Sequence, residues 1–565
     1  MGVYTVGLDY GTNSVRALLV NVANGEELAA AVDGYRYGNQ GVLTDPDDPF
    51  CARQHPEDYV NGLDRVMKDL LEKARDIPGF TPEKIIGIGV DTTASTPIPV
   101  DANAVPLAFN TKYEGNLNAM AWLWKDHSAY REAEELAARI AEEKLPYLDS
   151  YGGIYSSEWF WSKIWRCGTA DPSIAAASWL EQSDYIPALL TGVADIASIK
   201  RNSCAAGYKG MFSLGHGGYP PVGVLEKFAP HLAAVRNTLP GRVYAPGEAI
   251  GTLSASLQEK WGLPDGIVVS AGIIDAHAGA IGSGIRPGSL VKIIGTSTCD
   301  MALLEVQSGI RAIPGISGVV QDGIIPGFMG IEAGQAAVGD TMNWTVAILP
   351  ADDTPNGGND PHETLTAMAK RYGAGASGLL ALDWLNGNRN ILMDPRLGGL
   401  LLGINLRTRP DEIYRAMIEA TGFGARMIND RLKEYGVPIN EIICGGGIAE
   451  RNDLFMQIYA DILGMPIKTA RSSQAPALGA AVCAAVAAGA ASGGYDRFRD
   501  AITAMTGERE KIYTPGPGGR NVYNELYALY RMLHDAFGTP AYHEHLYPVM
   551  KKLIRIKEEA LPRQD

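Results

Sequence analysis

Tyr4-Thr-Val-Gly-Leu-Asp-Tyr-Gly-Thr-Asn-Ser-Val-Arg-Ala-Leu-Leu-Val20 reads as two short strands around a polar turn. Val6 and Leu8 alternate with small or polar neighbours ahead of Asp9, and Val15, Ala17 and Leu19 alternate after Ser14, the period of a half-buried strand. Between the strands stand Asp9, Gly11, Thr12, Asn13 and Ser14. Gly11 is expected to permit a tight turn, and residues 12–14 supply amide and hydroxyl donors. Donors beside a carboxylate suit a phosphate chain that carries magnesium, with the donors on phosphate oxygens and Asp9 toward the cation. An ordinary N-terminal hairpin explains the same residues.

A second copy changes the balance. Residues 290–305 read Leu-Val-Lys-Ile-Ile-Gly-Thr-Ser-Thr-Cys-Asp-Met-Ala-Leu-Leu-Glu. Here too an apolar strand runs into a glycine, then hydroxyls (Thr296, Ser297, Thr298), then another apolar strand. One such unit opening each half of a long chain predicts a duplicated architecture with a cleft between the halves, and clefts are favoured ligand sites.

At 565 residues the chain is too long for one simple core, and two large domains are expected. An apolar content of 46% and a charged content of 20% are those of a soluble globular protein. The net charge of −15 argues against general nucleic-acid binding and against a membrane-surface protein. The six cysteines form no C-x-x-C pair, so neither a disulfide framework nor a zinc site is indicated. The first residues run straight into a strand without a signal-like apolar segment, and Val6 stands where a myristoylation motif wants Ser or Thr, so a cytoplasmic location is expected. The Ala-rich tract from Pro476 reads as a packed interior helix rather than a membrane span.

Along the chain, residues 56–74 have helical spacing. Residues 85–96, Ile-Ile-Gly-Ile-Gly-Val-Asp-Thr-Thr-Ala-Ser-Thr, form a buried strand ending in small hydroxylated residues, where α/β folds put ligands. Leu123-Trp-Lys-Asp-His127 suits either a surface helix start or a sugar contact, ahead of a helix over 128–145. Ser156, Ser157 and Glu158 read as capping residues before an aromatic helix. Lys209 follows a small-residue loop. Asp275 opens a small-residue helix, where Asp is a common N-cap, and His277 reads as structural. Glu332 falls in a glycine-flanked loop, 351–361 is the most loop-like segment, and Gly445-Gly-Gly447 ends a strand where backbone can approach a flat ligand or a phosphate. The P-loop, protein-kinase, G-x-S-x-G and H-E-x-x-H signatures are absent, as is a dinucleotide fingerprint.

Taken together, Asp9-Tyr-Gly-Thr12, Val90-Asp-Thr-Thr-Ala-Ser-Thr96, Asp275-Ala-His277, Gly295-Thr-Ser-Thr298, Leu385-Asn-Gly-Asn-Arg389 and Gly445-Gly-Gly447 resemble, in this order, the FGGY carbohydrate kinases. The resemblance spans Tyr4 to about Gly489 and implies an α/β, two-domain actin-like ATPase (ribonuclease H-like) fold with an interdomain cleft. It implies an N-terminal domain over 1–285 with the sugar site and catalytic base, and an ATP-binding C-terminal domain over 286–565. Trp124-Lys-Asp-His127, residues 151–159, Ala206-Gly-Tyr-Lys209, residues 294–299 and Glu332-Ala-Gly-Gln335 are similar to the bacterial members that act on L-ribulose. The implied reaction is ATP-dependent, Mg²⁺-dependent phosphorylation of L-ribulose, or a related ketopentose, at O5 in arabinose breakdown, by a homodimer. A xylulose or polyol kinase of the same family is one alternative, and a non-catalytic actin-like sugar sensor is another.

By resemblance Asp275 is the catalytic base, for which an ordinary carboxylate is expected to suffice. Ala94, Lys209 and Glu332 join it in the sugar pocket, and Asp9 is the magnesium-linked carboxylate. Gly11, Thr12, Gly295 and Thr296 form the phosphate turns, and Gly446, Gly447, Gly339 and Asn343 the adenosine site. Asn388 departs from the family, where glutamate is frequent.

Overall fold

The computed structural model describes residues 2–349 and 360–540, with Tyr542, Lys552, Leu553, Arg555, Ile556 and Glu559; most of the loop expected over 351–361 lies outside them. The opening stretch is the predicted hairpin: β1 (Tyr4–Tyr10) pairs antiparallel with β2 (Ser14–Asn21), and β2 with β3 (Glu27–Gly34). The apolar run after residue 84 forms β4 (Ile85–Thr92), parallel to β1 and buried at the centre of the sheet. Strands β5 (Ala249–Thr252), β6 (Val268–Ser270) and β7 (Ile273–Ile274) complete it, in the order β5-β6-β4-β1-β2-β3 with β7 also on β4.

The second half repeats the plan. Strands β8 (Ser289–Ile294), β9 (Thr298–Glu305), β10 (Gly318–Gln321), β11 (Phe328–Ala333), β12 (Glu441–Gly445), β13 (Ile467–Ala470) and β14 (Glu508–Tyr513) run in the order β10-β11-β9-β8-β12-β13-β14. Strand β8 is antiparallel to β9 and parallel to β12, as β1 is to β2 and to β4. Both sheets therefore carry an antiparallel meander on one side and parallel neighbours on the other, with an antiparallel strand at the edge. Strand β10 is the addition in the second sheet.

Two helices join the sheets, Asp275–Gly282 and Ala475–Ala488. Nine of the fourteen residues of the second are Ala or Gly, because one side of it lies directly against backbone, while Leu478, Val482 and Cys483 pack into a side-chain cluster. A Cβ on Gly7 would lie 1.8 Å from the Ala477 carbonyl oxygen, and one on Gly89 1.9 Å from that of Ala480. On the helix pair itself, a Cβ on Gly479 would lie 1.8 Å from the Ala278 oxygen, and one on Gly282 2.0 Å from the Ala475 oxygen. No side chain fits at such distances, so this late segment of the chain is clamped onto the first sheet. The buried cluster around it draws Leu18 and Val20 from the first half and Val291, Met301 and Ile443 from the second.

Several short segments differ from expectation. Lys209 ends a helix, Ser203–Lys209, capped by the Asn202 side chain on the Ala205 amide. Glu332 lies within β11 rather than in a loop. Residues 123–127 start no helix; the next one is Tyr130–Glu142. Ser156, Ser157 and Glu158 do not cap the aromatic helix Phe160–Ala170, whose N-cap position is Trp159. Asp275 is the first residue of its helix and Ile274 the N-cap. Among the described residues no helix is long and apolar enough to cross a membrane.

Candidate active site

Three carboxylates meet where the first-half strands end. Asp9 stands opposite Asp91 in the parallel register of β1 and β4, and Ile273 pairs with Asp91, so Asp275 leaves the sheet beside both. Asp9 accepts from Arg16 across the hairpin at 3.2 Å. Asp91 is fully buried, and its carboxyl faces that of Asp9. Burial, followed by the charges of Asp9 and Asp275, drives Asp91 well above the usual carboxylate range. Burial also raises Asp9, against the pull of Arg16.

Asp275 is pushed up to about 7, first by burial and then by Asp9, against the Ala276 amide that its Oδ1 accepts at 2.6 Å and against Lys209. The ordinary carboxylate expected at this position is thus replaced by one poised near neutrality, the range suited to proton transfer at physiological pH.

Next to Asp275 lies a paired cation and anion. Lys209 Nζ donates to Glu332 Oε1 at 3.0 Å and to Oε2 at 3.3 Å. His277 Nε2 lies 3.2 Å from Glu332 Oε2, with its ring against Tyr208. Burial alone would raise Glu332, but Lys209 and His277 outweigh it and hold the carboxyl well below its usual range. Lys209 stays charged because Glu332 offsets its desolvation. Ala94, half-buried, follows the end of β4. Its loop is held by the buried Lys163, whose Nζ donates to the carbonyls of Ser95 and Leu123.

Each hydroxyl turn is closed by the amide of its glycine, the first over four residues and the second over three. Gly11 N donates to Ser14 O, and Gly295 N to Ser297 O, each at 2.9 Å. Neither turn depends on glycine for its backbone: a Cβ would meet only Ser14 O at 3.6 Å or Ser297 O at 3.8 Å. What glycine provides there is an open face for backbone approach. Thr12 is braced from behind, its hydroxyl accepting from Trp124 Nε1 at 3.0 Å and its carbonyl from Gln54 Nε2 at 2.6 Å. The second-half candidates converge on Gly295 and Thr296. Gly339 N donates to Gly295 O at 3.0 Å, and Val338 N and Asp340 N donate to Thr296 O at 2.8 and 3.1 Å. The helix Gly339–Ile348 thereby starts against this turn, its first amides spent on the turn's carbonyls and its dipole left to favour an anion nearby. Gly446 has φ +95°, and a Cβ on it would lie 2.3 Å from the Ile294 oxygen. Gly447 begins the next helix. Asn343 is exposed one turn into the Gly339 helix, its Oδ1 3.1 Å from His362 Nε2.

The residues fit a magnesium-bound phosphate chain. Asp9, Asp91 and Asp275 lie close together with Arg16 as the one neighbouring cation that acts on both Asp9 and Asp91, an excess of negative charge that a dication would balance. Among the described residues no cluster of three or more His, Cys, Asp or Glu is spaced as a complete metal site. Magnesium in phosphoryl-transfer sites is held by one or two carboxylates together with phosphates and waters.

Asp91, His277, Glu158, Arg389 and Cys299 belong to this region and were not among the residues read as functional. A charged residue at the end of an apolar strand was the available signal for Asp91; its pairing with Asp9 depends on sheet register. Cys299, opposite Ile293 in the β8–β9 hairpin, has its thiol pushed up to about 12 by burial and by Glu332.

The sequence matches the family model described as the FGGY family of carbohydrate kinases, with the N-terminal domain over residues 4–282 and the C-terminal domain over 290–488. The chain belongs to that family. Among curated relatives it is 42% identical to a ribulokinase of Shouchella clausii, over 99% of this chain and 98% of that protein. It is 40% identical to a ribulokinase of Bacillus licheniformis, over 96% and 97%. Among solved structures it is similar to xylulose kinase from Rhodospirillum rubrum, with a TM-score of 0.75, 25% identity and coverage of 95% of this chain and 100% of that one. Glycerol kinase from Plasmodium falciparum, at 15% identity and a TM-score of 0.74, shares the fold.

Proposed function

We infer that the chain is an ATP-dependent ribulokinase that phosphorylates L-ribulose at O5, with Asp275 as the base. The observation that carries this reading is the position of Asp275. It stands within electrostatic reach of Asp9 on one side and of the Lys209–Glu332 pair on the other, between a phosphate-and-cation end and a sugar end. The curated ribulokinases, matched over nearly their whole length, support the choice of sugar.

Phosphoryl transfer asks for alignment and for neutralisation of charge spread over the transferred group. Lys209 donates to a sugar oxygen while Glu332 accepts from a neighbouring hydroxyl, which fixes the chain of the sugar. The C5 hydroxyl then lies against Asp275. As O5 bonds to the γ-phosphorus, its proton passes to Asp275, the bond to the β-phosphate oxygen breaks, and ADP leaves. The amides of Thr12 and Thr296, which the turns leave unspent, donate to phosphate oxygens, and Gly339, Asn343, Gly446 and Gly447 line the adenosine side. Mg²⁺, held on the Asp9 side, supplies charge neutralisation when bound. In this reading residues 1–285 carry the base and most of the sugar site, and residues 286–565 carry the nucleotide and add Glu332 to the sugar site. The homodimer and the cytoplasmic location are carried by the family alone; sedimentation of the purified chain decides the first.

ADP release with Mg-ATP and L-ribulose, D-ribulose, L-xylulose, D-xylulose or glycerol tests the assignment. The highest kcat/KM is expected with L-ribulose. A preference for xylulose or glycerol would overturn the sugar but keep the family chemistry. ATP binding without sugar-dependent turnover would favour a sensor.

A further inference from the structure

Two sequence strings that the reaction leaves unused, 124–127 and 386–389, meet at Glu158. Arg389 Nη2 lies 3.8 Å and His127 Nε2 3.7 Å from the same oxygen, Glu158 Oε1. Neither distance is a hydrogen bond. The three side chains are 28%, 45% and 21% exposed in the order Arg389, His127, Glu158, so each keeps part of its surface open and none is sealed in the core. His127 Nδ1 is anchored 3.1 Å from Ser157 Oγ, the use this chain makes of residues that look like helix caps.

Arg389 comes from the other half, on a loop whose residues on either side of it, Asn388 and Asn390, are both hydrogen-bonded. Asn388 and Asp394 exchange two backbone hydrogen bonds of 3.0 Å, and Asn388 Oδ1 accepts from Leu392 N at 2.9 Å. Asn390 Nδ2 donates to Gly315 O, and its Oδ1 accepts from Gly334 N, both at 2.8 Å. Gly334 lies two residues beyond Glu332, so the loop is tied to the strand that carries the sugar-site carboxylate. Among the described residues Arg389 itself donates no hydrogen bond. A rigid loop therefore presents a guanidinium fork with its donors unspent. Lys209 links this group to the sugar site: its Nζ donates to Glu332 and lies over the ring of Trp159, the neighbour of Glu158, 5.4 Å from the ring centroid. The polar side chains thus run from Asp9 through Asp275 and the Lys209–Glu332 pair to Glu158 and Arg389.

We propose that Glu158, Arg389 and His127 form the subsite for the end of the sugar remote from the transferred phosphoryl group, with Arg389 joining Glu332 as a residue through which the second half reads the substrate. The ligand is the carbonyl and terminal hydroxymethyl of an open-chain ketose. The guanidinium donates to the carbonyl and hydroxyl oxygens, and the Glu158 carboxylate accepts a hydrogen bond from the hydroxyl. The proposal rests on the reading that the sugar lies against Lys209 and Glu332.

The test is steady-state kinetics of the full-length chain with saturating Mg-ATP, using L-ribulose and 1-deoxy-L-ribulose, for wild type, Arg389→Met, Arg389→Lys and Glu158→Gln. Arg389→Met and Glu158→Gln are expected to raise the KM for L-ribulose at least about tenfold while the KM for ATP stays within about twofold, and Arg389→Lys to recover part of the loss. Wild type is expected to reject the 1-deoxy sugar by at least about tenfold, because a site built to bind a hydroxyl rejects the analogue lacking it; Arg389→Met erases most of that discrimination. His127→Gln supplies a further variant should Arg389→Met fail to fold. Wild-type turnover with L-ribulose, together with unchanged sugar KM and unchanged discrimination in the folded variants, would overturn the subsite alone. A wild-type chain that phosphorylates no sugar would overturn the function on which the subsite rests, and the subsite with it.

Discussion

Asp275 is where burial, charge and chemistry oppose one another. Its carboxyl is lifted to about 7 by burial and by Asp9, so it is ionised at the cost of folding stability. A folded-state pKa above the unfolded value stabilises the fold only at low pH, and that contribution is lost as pH rises through about 7. Asp275→Asn is therefore expected to raise Tm by on the order of a few degrees at pH 8, and by less at pH 5. The same variant should lower kcat at least about a hundredfold with ATP binding retained; near-normal turnover would remove the base. In wild type, activity falls on the acid side as Asp275 takes up a proton, and that limb is absent from the residual activity of Asp275→Asn. Asp9→Asn tests the other end of the cluster: magnesium titrations of activity and of nucleotide binding shift to higher metal concentration, and an unchanged titration would count against its role.

At the scale of elements, the sheets are joined where side chains are excluded. Gly479→Ala puts a Cβ 1.8 Å from the Ala278 oxygen and must push the Ala475–Ala488 helix off the helix that carries Asp275. A loss of at least about 2 kcal/mol in denaturant unfolding is expected, with impaired turnover. Gly11→Ala is the contrasting case. Its Cβ has room within the protein, so stability is kept while the KM for ATP rises, because the methyl enters the face that the phosphates approach. Equal melting curves for the two variants would contradict this division. The hairpins at Asp9 and at Gly295 were legible because period-two apolar strands bracket each polar turn. The helix Ser203–Lys209 and the strand around Glu332 were not. Both are short and flanked by glycine, and what fixes them is tertiary: the Asn202 cap, and the pairing of Glu332 with Met301 on β9. Glu158 was misread for a related reason, since Ser-Ser-Glu has the composition of a cap and the approach of Arg389 to it is tertiary.

At the scale of the molecule, the duplicated strand order puts a hydroxyl turn at the corresponding hairpin of each half, and the helix pair connects the halves. The duplication was visible as two similar strings far apart in sequence. The cross-half contact of Arg389 with Glu158 was not, because loops from different halves share no local pattern. Closure of the halves over sugar and nucleotide is expected, since water in place of the sugar would waste ATP. Small-angle scattering should show a smaller radius of gyration with L-ribulose and a non-hydrolysable ATP analogue than with either alone, and sugar-free ATP hydrolysis should run below about one hundredth of the sugar-dependent rate. An unchanged radius would argue for a preformed site. The measurement that bears most directly on the central claim is carbon NMR of the product made from L-ribulose and Mg-ATP by the wild-type chain. Phosphorus coupling at C5 and C4 is the predicted result. Coupling at C1 and C2, or no phosphorylated sugar at all, would contradict the account.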